Sequence, residues 1–97
     1  MSNFQLDSSL HPYLKAMISK IPTSSKLVMK TLIEKPYNKE ELSLNARVRR
    51  GELNEAITWV EALGLVEYTI AGRSKMYSVT TLGEEAYKEF DDIFNSQ

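Results

Sequence analysis

The chain of 97 residues contains no cysteine and one histidine, His11. Without thiols, disulfide scaffolds, thiolate metal sites, iron–sulfur clusters and thiol catalysis are excluded together. A lone histidine cannot assemble a multi-ligand zinc site without carboxylates, nor a histidine-based catalytic set. The chain also lacks any apolar run near the roughly 20 residues that span a bilayer, so no membrane partner is expected. Met1 to Leu10 shows no basic segment followed by an apolar stretch, so no signal peptide is read there. The absence of cysteine fits a reducing, cytoplasmic setting. Internal repeats and low-complexity tracts are missing as well.

What is present suits one small soluble domain spanning 1–97, with 42% apolar and 26% charged residues. The formal net charge of −1 conceals an asymmetry. Residues 1–83 hold 11 Lys/Arg against 8 Asp/Glu, whereas 84–97 hold Glu84, Glu85, Glu89, Asp91 and Asp92 against Lys88. The acidity therefore belongs to the last segment, and a phosphate-binding surface elsewhere stays open.

Residues 1–9 read as an N-terminal arm. Pro12 then opens a helix over 10–21, whose Leu10, Tyr13, Leu14, Met17, Ile18 and Ile21 repeat at helical spacing up to Pro22. Thr23, Ser24 and Ser25 offer caps for a second helix, with Leu27, Val28, Leu32 and Ile33 inward and Lys26, Lys30 and Lys35 outward. Pro36 stops it. Asn38 and Glu41 make a capping box that starts a short third helix over 39–46, buried through Leu42 and Ala46, with Leu44 a further candidate. A turn follows at Arg47-Val48-Arg49-Arg50-Gly51, with Gly51 supplying the backbone freedom. The fourth helix, 51–63, places Leu53, Ala56, Ile57, Val60 and Leu63 on one face, and Gly64 suits its C-cap.

The period then changes from helical to alternating. Val66, Tyr68 and Ile70, and after Ala71-Gly72-Arg73-Ser74 also Tyr77 and Val79, predict a β-hairpin with a basic tip. Thr81 and Glu84 form a second capping pair for a last helix over 81–97, striped by Leu82, Ala86, Tyr87, Phe90, Ile93 and Phe94. The fold class is thus α+β, mainly helical with one small hairpin.

That order, two helices across a short turn and then a two-stranded ribbon, resembles the winged helix-turn-helix domain over residues 23–87. The run Ala56-Ile57-Thr58-Trp59-Val60-Glu61-Ala62-Leu63-Gly64-Leu65-Val66-Glu67 is similar to a recognition helix entering the first wing strand of MarR-, PadR- and ArsR-like regulators. Tyr77-Ser78-Val79-Thr80-Thr81-Leu82-Gly83 resembles their second wing strand passing into the C-terminal helix. The resemblance makes 23–80 a winged-helix core, 39–46 the first helix of the motif, 51–63 the recognition helix and 71–75 the wing tip. It implies a homodimeric binder of double-stranded DNA, either a transcriptional repressor or a DNA-segregation adaptor. It also implies that the terminal helices form the dimer.

On this reading Arg47, Arg49 and Arg50 bridge phosphates or read guanine, although each could instead pair with Glu52 or Glu55 as part of a solvated turn. Asn54 is a candidate for adenine, and Thr58 for a phosphate or a thymine methyl. Arg73, Ser74 and Lys75 at the wing tip are candidates for backbone or minor-groove contact. Tyr13, Met17, Tyr87, Phe90, Ile93 and Phe94 bury either against each other within one chain or against a second copy. Trp59 is read as a packing residue, and His11 as a capping or exposed residue. No cofactor, metal or catalytic residue is expected. Glu52 and Glu55 in the recognition helix support a competing reading, a winged-helix module whose partner is another protein.

Overall fold

The structure is a computed structural model and describes residues 10–95; the arm expected over 1–9 lies outside the described residues. Six helices and one hairpin follow in the order α1 (Leu10–Ile18), α2 (Thr23–Leu32), α3 (Lys39–Ala46), α4 (Arg50–Ala62), β1 (Val66–Ala71), β2 (Ser74–Val79), α5 (Thr81–Glu89) and α6 (Asp91–Phe94). One buried cluster joins them, fed by Leu14 and Ile18 of α1, Val28, Met29 and Leu32 of α2, and Leu53, Ala56, Ile57 and Val60 of α4. Burying each such large aliphatic side chain is worth about 1.5–3 kcal/mol, which is what holds α4 in place. Helix α2 lies at the centre, in contact with α3, α4, α6 and β2.

The capping box of α3 forms as expected: Asn38 Oδ1 accepts from the Glu41 N–H at 2.8 Å, and Glu41 Oε1 from the Asn38 N–H at 3.3 Å. Gly64 ends α4 with φ +80°. In the hairpin, Val66 pairs with Val79 and Ala71 with Ser74, leaving a two-residue turn in which Gly72 takes φ +65°. Glycine at the first central position suits a II′ turn, whose twist matches the strands.

Several boundaries differ from expectation. Helix α1 stops at Ile18, not Ile21, and Ile21 still buries from the following turn. Helix α2 is capped by Pro22, with no side-chain cap bond. Ser25, expected as a cap, is fully buried and donates to the Ala56 carbonyl at 2.9 Å, so it ties α2 to α4. Between α3 and α4 the left-handed residue is Arg47 (φ 59°, ψ 43°), while Gly51 lies inside α4 with open space around it. The cap of α5 is Thr80, one residue earlier than expected. Its hydroxyl accepts from the Gly83 N–H at 2.9 Å and donates to the Gly64 carbonyl at 2.7 Å.

The expected single last helix breaks at Phe90 (φ −115°, ψ 36°), which turns the chain so that α6 meets α2. Phe90 and Phe94 are thereby buried, at 2% and 1% exposure. Their assignment to a dimer surface is corrected: both rings are already covered by their own chain. Tyr37 adds an unexpected isolated β-bridge to Tyr77, with N–H···O=C bonds of 3.1 and 2.8 Å. It pins the wing to the segment that leads into α3.

Candidate nucleic-acid interface

Burial of Leu53, Ala56, Ile57 and Val60 fixes the roll of α4 and leaves Gly51, Asn54, Glu55 and Thr58 exposed along its outer side. This is the row that the helical period assigns to solvent. Because α4 is anchored by the core, these side chains project from a rigid element.

The arginines at its start are also exposed, but they sit differently. Arg49 Nη2 bonds Glu52 Oε2 at 3.1 Å, so the carboxylate pairing weighed for this turn occurs at that one residue. Arg47 closes the C-terminal end of α3 and lines an open cleft with Lys30, Thr31, Glu34 and Asn45. Arg50 begins α4. Arg47 and Arg50 form no ion pair among the described residues.

The wing contributes from the other side of the motif. Arg73 occupies the turn, and Ser74 and Lys75 start β2, all three exposed. Lys75 Nζ lies 4.4 Å from the centre of the Tyr68 ring, a cation–π contact that steadies the wing's inner face. Ser74 and Lys75 share an open cleft of about 300 Å³ with Asn38, Lys39 and Glu40 at the start of α3.

Lys39 joins these parts. Its Nζ donates to Asn54 Oδ1 at 2.6 Å, linking the first residue of α3 to the exposed row of α4. Sequence reasoning missed Lys39, since a lysine after a helix cap carries no signal that it reaches a residue fifteen positions away. Thr58 donates its hydroxyl proton to the Asn54 carbonyl at 2.7 Å, so its oxygen can still accept. The structure thus brings Asn54 and, through Lys39, Ser74 and Lys75 to one side. Arg47 stands at the opposite end of α3, roughly 12 Å along the helix at 1.5 Å per residue.

At the far end of the molecule, Tyr13 is 59% exposed. Met17, Tyr87 and Ile93 are half-buried. Tyr87 packs on Phe94 with ring centres 5.2 Å apart. His11 is neither cap nor free: its Nε2 lies 3.0 Å from Glu89 Oε2 and its ring 4.9 Å from Phe90, tying α1 to α5. Trp59 is partly buried against the core, as expected. Tyr77, a 3%-exposed residue of β2, has its pKa raised by burial and then by the nearby charges of Glu61 and Tyr68. Among the described residues no cluster of three or more His, Cys, Asp or Glu could hold a metal, and no helix is long and apolar enough to cross a membrane.

No family model matches the sequence, and no curated relative does. Solved structures do match. A MarR-family transcriptional regulator from Silicibacter pomeroyi is similar at TM-score 0.71 and 20% identity, over 89% of this chain and 70% of that one. Diamide-treated YodB from B. subtilis is similar at TM-score 0.70 and 14% identity, over 93% and 90%. A MarR transcriptional regulator from Methanosarcina mazei Go1 is similar at TM-score 0.68 and 22% identity, over 89% and 67%. The chain therefore has the winged-helix fold seen in MarR-type transcriptional regulators, with α3 and α4 as its helix-turn-helix and β1–β2 as its wing.

Proposed function

We propose that this protein binds double-stranded DNA sequence-specifically, as a homodimeric transcriptional regulator that acts as a repressor. One observation carries the reading: Lys39 connects the exposed row of α4 to a cleft whose other wall is the wing's Ser74 and Lys75. A helix of this size fits the major groove, where base edges carry a distinct donor and acceptor pattern. In this arrangement Arg49, Arg50, Arg73 and Lys75 supply phosphate contacts, Asn54 and Thr58 face the bases, and Arg47 reaches a phosphate further along the duplex. A dimer would set two α4 helices in successive major grooves, about 10 base pairs apart. Tyr13, Met17, Tyr87 and Ile93 are the terminal-helix residues with surface left for a second copy. The structural neighbours are themselves regulators, which supports the same class.

A protein-binding module is the competing reading, favoured by Leu44, which is 79% exposed on the outer side of α3. A salt titration on duplex DNA separates the two. DNA binding requires log K to fall with log[salt] by about 0.9 per phosphate contacted. Arg49→Ala and Arg73→Ala should each weaken binding and reduce that slope by about one contact. Failure to bind any duplex at low salt would exclude the DNA reading and leave the protein partner.

A further inference from the structure

We propose that Lys39 and Asn54 act as one guanine-reading pair, an inference that rests on the DNA-binding reading above. An ammonium group can only donate, so the atom facing Lys39 Nζ at 2.6 Å must be the amide oxygen of Asn54, and the amide nitrogen points away. Bonds of this kind, with one charged partner, are short and roughly twice as strong as neutral ones. Among the described residues Lys39 has no ion pair, and the amide oxygen of Asn54 is its hydrogen-bond partner.

The pair therefore presents hydrogen-bond donors outward: the two N–H groups of Asn54 and the remaining protons of Lys39. An asparagine alone reads adenine because its oxygen accepts from N6 while its nitrogen donates to N7. Here one of that oxygen's two lone pairs is taken by Lys39 and a positive charge stands beside it, which opposes an approaching N6–H donor. Guanine offers two acceptors, O6 and N7, on the same edge. The pair, rich in donors and positively charged, matches guanine better than adenine. Lys39 is half-buried between α3 and the wing cleft, so its position is largely set before DNA arrives. Asn54 lies in the second turn of α4, close enough to its N-terminus for base contact.

The test uses the full chain. Duplexes are selected from a random pool by wild type, and each guanine of the selected site is then replaced by adenine, pair by pair, with Kd measured by fluorescence anisotropy. The expected result is one guanine per half-site whose replacement weakens wild type by roughly tenfold. In Lys39→Met that penalty falls below twofold or the preference moves to adenine, because the amide oxygen is released. In Asn54→Ala the penalty also falls, and the double variant loses no more discrimination than either single, because the two groups act as a unit. Circular dichroism of both variants checks that the fold is kept. If Lys39→Met weakens every duplex equally and leaves the guanine-to-adenine ratio unchanged, Lys39 is a phosphate contact and the pair is refuted while DNA binding stands. A selected site without such a guanine refutes it too. If wild type binds no duplex at low salt, the DNA reading itself fails, which is a different result.

Discussion

Two glycines in the first turns of helices make a sharp test of the packing argument. Gly51 in α4 has open space around it, whereas a Cβ on Gly83 in α5 would overlap the Leu65 carbonyl oxygen and come within 3.0 Å of the Leu65 carbonyl carbon and 3.3 Å of its Cα. These are backbone atoms and cannot turn aside. The same carbonyl accepts the Thr80 N–H at 3.0 Å, and Leu65 N–H bonds the Val60 carbonyl at 2.9 Å at the end of α4. Gly83→Ala must therefore push α5 off the α4–β1 junction. Overpacking costs about 1–3 kcal/mol. Loss of the Thr80 cap adds about 1 kcal/mol. Loss of the Thr80–Leu65 bond adds about 1 kcal/mol. Alanine's helix preference returns only about 0.5–1 kcal/mol. The net expectation is a loss of about 3 kcal/mol, out of the roughly 5–15 kcal/mol typical of such a domain. At this chain length it lowers Tm by roughly 12–24 °C. Gly51→Ala keeps only the helix-preference gain, about 0.5 kcal/mol, and raises Tm by a few degrees. Thermal and urea melts followed by circular dichroism at one protein concentration decide the matter. Shifts of the same sign, or Gly83→Ala within about 1 kcal/mol of wild type, would refute the close-approach account.

Other outcomes follow from named contacts. The raised pKa of Tyr77 means that the folded state holds its phenol proton more tightly than the unfolded chain. Stability from this group is complete below the unfolded value near 10 and is lost as pH rises through the folded value; Tyr77→Phe should flatten that alkaline decline in melts taken from pH 9 to 11. Phe90→Glu places a charge at a 2%-exposed core site and should unfold the chain, whereas Tyr13→Lys, at 59% exposure, should keep the far-UV spectrum and halve the sedimenting mass of a dimer. An unchanged mass for Tyr13→Lys would count against the terminal-helix interface. Glu52→Gln and Glu55→Gln each remove one charge near the duplex and should tighten binding severalfold at low salt. Only Glu52→Gln, which releases Arg49, should also reduce discrimination between selected and mixed duplexes, and equal behaviour of the two would deny Glu52 a positioning role.

Most of the frame was legible because its signals are local. The Asn38–Glu41 box, the apolar face of α4 and the alternation through β1 and β2 each depend on neighbours a few residues away, and each appears where the pattern puts it. What escaped depends on residues far apart in the chain. Tyr37 forms its bridge with Tyr77, forty residues away, and buried Ser25 bonds the Ala56 carbonyl, thirty-one residues away. Between Thr80 and Thr81 the local chemistry is nearly degenerate, and the Gly64 carbonyl selects Thr80. The break at Phe90 goes with the contact between α6 and α2, which no periodicity in 81–97 encodes.

The acidic character of α4, the strongest sequence argument against a nucleic-acid partner, changes meaning once Glu52 is seen beside Arg49. Both groups are well exposed, and an exposed pair contributes only about 0–1 kcal/mol, so it can be exchanged for a phosphate at little cost. On the proposed DNA-binding reading, the carboxylate would hold the guanidinium near the groove without locking it. Lys39 and Asn54 differ: the bond is shorter, the lysine is half-buried, and it connects two helices whose relative position the core already fixes. On the proposed reading, an exchangeable contact at the helix start would serve affinity and the Lys39–Asn54 contact one turn later would serve discrimination. On that same reading, α4 can carry three glutamates, Glu52, Glu55 and Glu61, and still face DNA, because the cations come from the turn before it, from α3 and from the wing.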